Sequence, residues 1–293
     1  MGFRTVIIKN RAKLETRLNS LIVRGEQEKK IFLDEINTII IQSTAVSLTA
    51  SLLCELTKRN VKIIFCDDKH NPQSELLPYY GAHNTSKRYK EQIAWNDKTK
   101  GKVWGEIVKQ KINEQAQHLF DVGFFEQADL LRSYLVEVKE DDITNREGHA
   151  AKVYFNCLLG VGNNRKAGGF LNGCLNYGYA VLLSAFNREI VASGYLTQLG
   201  IWHENEFNEF NLACDLMEPF RVVVDRTAMR IEEGDKDFKK KMANVLNYKT
   251  VIDGKNTTLD LAIRQYTKSV FRALQEQNEG VILFPDKIFQ DEL

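Results

Sequence analysis

The strongest constraint on the fold is a change of pattern near residue 85. Before it, short runs rich in β-branched residues recur: Thr5–Ile8, Leu21–Val23, Ile31–Leu33, Thr38–Ile41 and Val61–Phe65. Polar residues or glycine bound each run, as they bound strands. Arg24-Gly25-Glu26 sits where a hairpin needs its turn. One helix interrupts the strands: Ser43 or Thr44 can cap it, and Val46, Leu48, Leu52, Leu53 and Leu56 follow at helical spacing. After residue 85 the apolar period becomes helical, first at Val103, Ile107, Ile112, Ala116 and Leu119, then at Phe124, Ala128, Leu131 and Leu135. The apolar stretch from Ala167 to Gly200 is rich in small residues, which permit tight core packing. Asn256-Thr257-Thr258 can cap a last helix from Leu259 to about Leu274, and the tail after Pro285 reads as loose. Pro72 and Pro78 fall at the change of pattern. The expected fold is α+β: a small N-terminal β-sheet domain with one helix over 1–70, a linker over 71–85, and a larger all-α C-terminal domain over 86–293.

Charge narrows the function. The chain has 293 residues with 40 Lys plus Arg against 39 Asp plus Glu, so it is no bulk polycation. Near-neutrality is a cancellation: residues 86–111 carry eight basic and three acidic side chains, and the remainder beyond them is acidic. Lys87, Arg88, Lys90, Lys98, Lys100, Lys102, Lys109 and Lys111, with Trp95 and Trp104 interleaved, read either as a nucleic-acid contact or as a solvated helix face. Arg146, Lys152, Arg165 and Lys166 are further DNA-contact candidates. Lys239-Lys240-Lys241 reads as a solvated face. No apolar run is long enough for a membrane span, and the N-terminus lacks a signal-peptide core. The five cysteines form no CxxC pair, consistent with reduced thiols in a cytoplasmic protein.

Three polar clusters interrupt the helical sequence. In Asn145-Arg146-Glu147-Gly148-His149, Thr144 or Asn145 can cap a helix and Glu147 lies in its first turn, a position the helix dipole also favours without any catalysis. In Gly200-Ile201-Trp202-His203-Glu204, a histidine follows a glycine turn; the zinc-protease pattern fails because Phe207 stands where a second histidine is needed. In Asp215-Leu216-Met217-Glu218-Pro219, two acids three apart share a helix face unless Pro219 restarts the helix between them, and Arg221 or Arg226 can also satisfy them. Two acids among apolar residues are costly unless they meet a cation. Carboxylates with one imidazole suit Mg²⁺ or Mn²⁺ better than a sulfur-rich zinc site, and such a metal serves phosphodiester chemistry. Gly160-Val161-Gly162 imitates part of a dinucleotide loop but lacks its third glycine and preceding strand.

Four stretches together resemble the CRISPR-associated spacer-acquisition integrase family, in the variant found beside a single large effector nuclease (type II systems). They are Asn145–Ala151, Leu175–Tyr179, Gly200–His203 and Asp215–Arg221 with Asp225; Val61–Asp68 resembles the last strand of that family's N-terminal domain. The resemblance implies a β domain linked to a helical one. It further implies a homodimer, two of which flank a dimer of a small ferredoxin-like adaptation partner in a heterohexamer, with contacts to other CRISPR-associated proteins. Such a complex captures a short double-stranded DNA fragment and inserts it into CRISPR repeat DNA through attack by a 3′-hydroxyl. By the same resemblance Glu147, His203 and Glu218 are the catalytic residues and metal ligands, and Asp215 is a fourth metal-site acid; of Asp215 and Glu218, Glu218 ranks first as the direct ligand. Two rival readings are a stand-alone metal-dependent nuclease that hydrolyses branched DNA and a non-catalytic DNA-binding scaffold.

Overall fold

In a computed structural model the described residues are 2, 4–78, 82, 84–160 and 169–289. The chain divides into two compact units, residues 1–81 and 82–293. The first contains strands β1 (Arg4–Ile8), β2 (Ala12–Arg17), β3 (Ser20–Arg24), β4 (Glu28–Phe32), β5 (Ile36–Ile41) and β6 (Val46–Leu48), helix α1 (Ala50–Lys58), then β7 (Lys62–Cys66) and β8 (Pro72–Glu75). They form two four-stranded sheets, ordered β1-β5-β7-β8 and β4-β3-β2-β6. In the first, β5 runs parallel to both β1 and β7, and every residue of its sequence Ile-Asn-Thr-Ile-Ile-Ile is buried, as a central strand covered on both faces requires. Leu14, Leu21, Leu33, Ile39, Leu52, Leu56 and Ile63 belong to this unit's core.

All five anticipated apolar runs contribute to strands, and the β3–β4 hairpin turns through Gly25. Three further strands escape the pattern. β2 carries Lys13, Glu15 and Arg17 on its outward face, β6 is only three residues long, and β8 lies inside the expected linker. The edge strand β8 pairs antiparallel with β7; Pro72, at its first position, needs no amide donor there. The anticipated helix begins later than Ser43 or Thr44. Thr49 caps it, its Oγ1 accepting from Leu52 N at 3.3 Å, while Val46–Leu48 pair with Ala12–Leu14.

The second unit is largely helical: α2 (Thr85–Ile93), α3 (Asp97–Asp121), α4 (Phe125–Tyr134), α5 (Arg146–Leu159), α6 (Phe170–Ala192), α7 (Asn211–Met217), α8 (Arg221–Ala228), α9 (Phe238–Ala243) and α10 (Leu259–Glu276). It is not all-α. Strands β9 (Lys249–Ile252), β10 (Lys255–Thr258) and β11 (Lys287–Phe289) make an antiparallel sheet ordered β10-β9-β11. The β9–β10 turn is Asp253-Gly254, both at positive φ (52° and 67°), the pairing that a two-residue hairpin favours. The tail after Pro285, expected to be loose, supplies β11.

The long helix α3 buries Val103, Ile107, Ile112, Ala116 and Leu119 completely, as their spacing predicts. On α6, Gly178 lies so close to Val224 and Met242 that a Cβ would come within 2.6 Å and 2.4 Å of them. That small residue therefore serves core packing. Of the cysteines, Cys66 and Cys174 are buried and Cys54 is exposed. No helix among the described residues is long and apolar enough to cross a membrane.

Candidate metal and phosphodiester site

Glu147 stands in the first turn of α5. The cap differs from the expected one. Asn145 is left-handed (φ 50°), and the Asp142 carboxylate accepts from the amides of Arg146 at 2.9 Å and Glu147 at 2.8 Å. An acid at this position satisfies two of the helix's orphan N–H groups and favours its dipole.

Glu218 lies where Pro219 breaks the helix. α7 ends at Met217, a 3-10 turn spans Glu218–Phe220, and α8 begins at Arg221. The two acids therefore do not share one uninterrupted helix face, and their environments diverge. Asp215 is fully buried, and its carboxylate accepts from the amides of Ile201 (2.6 Å), Trp202 (3.0 Å) and His203 (3.2 Å) and contacts His203 Nδ1 at 2.5 Å. Glu218 Oε1 accepts from Arg221 Nε at 2.8 Å, while Oε2 meets the Lys111 ammonium, Nζ lying 2.5 Å away. Arg226, the other candidate partner, pairs instead with Asp121.

Lys111 joins the acids. Its ammonium contacts Glu147 and Glu218 together, and the lysine is 6% exposed. Burial works to lower its pKa, but the two carboxylates outweigh burial and raise it. At Glu218 burial pushes upward, yet Lys111 and Arg221 outweigh it and bring the carboxyl down to about 2. Arg221 is also placed over the Tyr179 ring, 5.0 Å from its centroid.

His203 is held from several sides. A Cβ on Gly200 would lie 2.3 Å from the His203 carbonyl oxygen and 2.8 Å from Asp215 Oδ2, so only glycine admits this turn. The imidazole meets Trp104 edge-on at 5.7 Å, and Trp104 stacks on Trp202 at 5.8 Å. The hydrogen bond to Asp215 raises the His203 pKa against burial, and the nearby charges of Glu218 and Glu147 add to it. With Nδ1 donating to Asp215, Nε2 is the ring atom left for a ligand or a proton. A cleft of about 460 Å³ borders His203, lined also by Gln92, Lys100, Gln198, Glu204 and Asn205.

Two carboxylates and an imidazole nitrogen suit a hard divalent cation, and a cation, the Lys111 ammonium, already lies between the two carboxylates. Among the described residues no three His, Cys, Asp or Glu side chains already form a metal-holding group; the Lys111 ammonium bridges the two glutamates. Asp225 lies elsewhere, buried, accepting from Tyr179 OH and from Tyr154 OH at 3.0 Å.

The basic stretch changes character. Trp95 and Trp104 are buried and offer no surface for stacked bases. Lys87 and Arg88 pair with Glu91, Lys100 with Asp97, Lys102 with Glu279 and Lys109 with Glu106. Arg146 pairs with Glu137 at 2.7 Å. Lys90, Lys98 and Lys152 are exposed. Arg165 and Lys166, with the Gly160-Val161-Gly162 loop they follow, fall in or beside 161–168, outside the described residues.

Lys111 was readable only as one more basic residue in a charged stretch. Its helical register is the better signal: Trp104, Val108, Gln115 and Leu119 flank it at spacings of three and four, and all are buried.

Comparison with known proteins agrees with this architecture. Residues 5–251 match the family model described as CRISPR associated protein Cas1. A CRISPR-associated endonuclease Cas1 from Neisseria meningitidis serogroup C is 31% identical over 98% of this chain and 97% of its own length. Among solved structures, a casposase bound to integration product superposes with TM-score 0.76 at 21% identity, covering 94% of this chain and 92% of that one. A Cas6-RT-Cas1–Cas2 complex gives TM-score 0.72 at 17% identity over 95% of this chain and 36% of that one.

Proposed function

The chain belongs to the Cas1 family, and from that premise we propose that it is a metal-dependent DNA integrase, joining short captured duplexes into CRISPR repeat DNA. One observation carries the reading: Glu147 and Glu218 meet at one point, with His203 close enough to feel both charges. Glu147, Glu218 and His203 Nε2 would hold Mg²⁺ or Mn²⁺, which when bound supplies Lewis-acid polarisation of a phosphate oxygen and charge for the reacting hydroxyl. Asp215 is not a direct ligand in this reading. Its oxygens are spent on three amides and on His203 Nδ1, so it positions the imidazole.

The reaction is a transesterification. The 3′-oxygen of the captured strand forms a new bond to a target phosphorus, and the bond from that phosphorus to the target strand's own 3′-oxygen breaks. The attacking hydroxyl loses its proton and the leaving 3′-oxygen gains one. Arg221, fixed by Glu218 and the Tyr179 ring, keeps the Glu218 carboxylate ionised and oriented. A duplex and repeat DNA are the substrates. The likeness to a Cas6-RT-Cas1–Cas2 complex supports a Cas2-like partner, and a homodimer of this chain on each side of it is the assembly that the family resemblance implies.

The test incubates the chain, with and without that partner, with a fluorescent duplex, a repeat-bearing plasmid and Mn²⁺. Covalent transfer of label into the plasmid is expected with metal and absent in Glu147→Ala and Glu218→Ala, while duplex capture persists. Cleavage without joining would make it a hydrolytic nuclease. Normal joining by either variant would remove these acids from the site, and metal-independent capture without any joining would leave a scaffold.

A further inference from the structure

Lys111 occupies an unusual position for a lysine. It sits in the interior of the 25-residue helix α3, with its side chain 8% exposed and its ammonium on two glutamates at once. Ordering such a long side chain costs rotamer freedom. Desolvating the ammonium adds a further cost, recovered only through close carboxylates. These two glutamates are also the ones assigned to the divalent ion, so the inference rests on the metal reading above. An ammonium and a divalent cation cannot share the same pair of carboxylates, because like charges at contact distance in a partly dry site repel strongly.

The two cations beside Glu218 are unequal in this respect. Arg221 is anchored by its Nε on Oε1 and by the Tyr179 face. Lys111 is a compact point charge on a flexible four-carbon stem, which rotates without breaking a planar bidentate contact. Glu147, one of its two partners, keeps a third of its side chain exposed, so the bridge has an open side.

We propose that Lys111 is a built-in counter-cation: it holds Glu147 and Glu218 together in the metal-free protein and leaves them when the divalent ion binds. Lys111 is thus a positioning residue whose displacement opposes metal loading. Metal affinity is set partly by the work of moving it.

Two measurements on the full-length chain test this. Lys111→Met keeps most of the length of the side chain and removes its charge. Calorimetric titration with Mn²⁺ should then show binding about tenfold tighter or more than wild type, the counter-cation no longer competing. Without metal, the variant should melt lower than wild type, since two carboxylates lose their partner, and Mn²⁺ should raise its melting temperature by more. Equal or weaker Mn²⁺ binding by a folded Lys111→Met protein overturns the proposal.

The second measurement needs no variant. An amine-reactive label read by peptide mass spectrometry should find Lys111 protected in chelator and several-fold more reactive with saturating Mn²⁺; equal protection in both overturns the exchange. Glu147→Gln separates the two readings. If it abolishes Mn²⁺ binding, the metal site stands whatever Lys111 does. If it binds Mn²⁺ like wild type, or if no protein binds Mn²⁺, the metal reading fails and the exchange fails with it.

Discussion

Two ion clusters in the helical unit have the same charge arithmetic and different construction. In one, Arg188 bonds Glu189 at 2.9 Å and Asp260 at 2.5 Å, and Arg264 reaches the other oxygen of Glu189 at 3.2 Å. In the other, Lys111 and Arg221 serve Glu147 and Glu218. Each has two cations and two acids. The first ties α6 to α10 with guanidinium forks, and Glu189 is 3% exposed. The second contains a lysine, leaves Glu147 partly open and adjoins His203. Net charge therefore does not distinguish a structural network from a reactive one. Access, and a cation that can be exchanged, do.

The largest expected effect breaks the pair apart. Glu147→Gln should reduce strand joining on the order of 10³-fold, since it removes charge at the reacting phosphate, while stability falls by less than in the other cluster, because Lys111 keeps the Glu218 carboxylate and Glu147 is partly exposed. Glu189→Gln should do the reverse. Buried Arg188, left with Asp260 alone, and half-buried Arg264 lose their shared carboxylate at a cost of up to about 3–5 kcal/mol, with joining per folded molecule unchanged. Urea unfolding beside a joining gel reads both. The distinction collapses if Glu147→Gln is the more destabilising of the two.

The same contrast explains what was legible in the sequence. Buried strands announce themselves through apolar runs, and β5 is the clearest. β2 hid because Lys13, Glu15 and Arg17 alternate with its inward residues, and β6 because three residues carry no period. The β9–β10 hairpin had a readable sign in Asp253-Gly254, which a helical reading of its surroundings obscured. In the site, Glu147, His203 and Glu218 lie far apart along the chain, and no local spacing relates them. Their association came through a resemblance of motifs, and the fold supplies the geometry. Asp215 and Glu218 looked equivalent three residues apart; the break at Pro219 sends one to an imidazole and the other to two cations.

A buried group kept neutral sharpens the comparison, with a smaller effect. His118 contacts Tyr154 OH at 2.7 Å through Nδ1, and that hydroxyl donates to Asp225, so the neutral ring with its proton on Nδ1 fits. Burial first, with the nearby charges of Arg226 and Arg230 added and Asp121 opposing, lowers its pKa to about 4. The unfolded chain therefore takes up this proton first as pH falls. Stability contributed by the neutral ring is complete above about pH 6.5 and is lost towards pH 4, a change of about 3 kcal/mol. His118→Gln should flatten that part of the stability–pH curve. Identical curves for the two proteins would mean that burial of His118 carries no charge penalty.

The smallest effect concerns lysines of the same region placed oppositely to Lys111. Lys90 on α2 and Lys98 on α3 are exposed, whereas Lys87, Lys100, Lys102 and Lys109 each have an acid partner within 4 Å. A paired lysine gains less from a phosphate because it must first give up its carboxylate. An exposed one exchanges only water and a condensed counterion. The salt dependence of duplex binding should therefore follow Lys90 and Lys98. Replacing both with Gln should lower the slope of log K against log salt by about 0.9 for each phosphate no longer neutralised, with little change in melting temperature. Lys111→Met should leave that slope unaltered, because its charge is spent inside the site. An unchanged slope in the Lys90/Lys98 variant would move the DNA path to other surfaces, with exposed Lys152 on α5 the next position to neutralise.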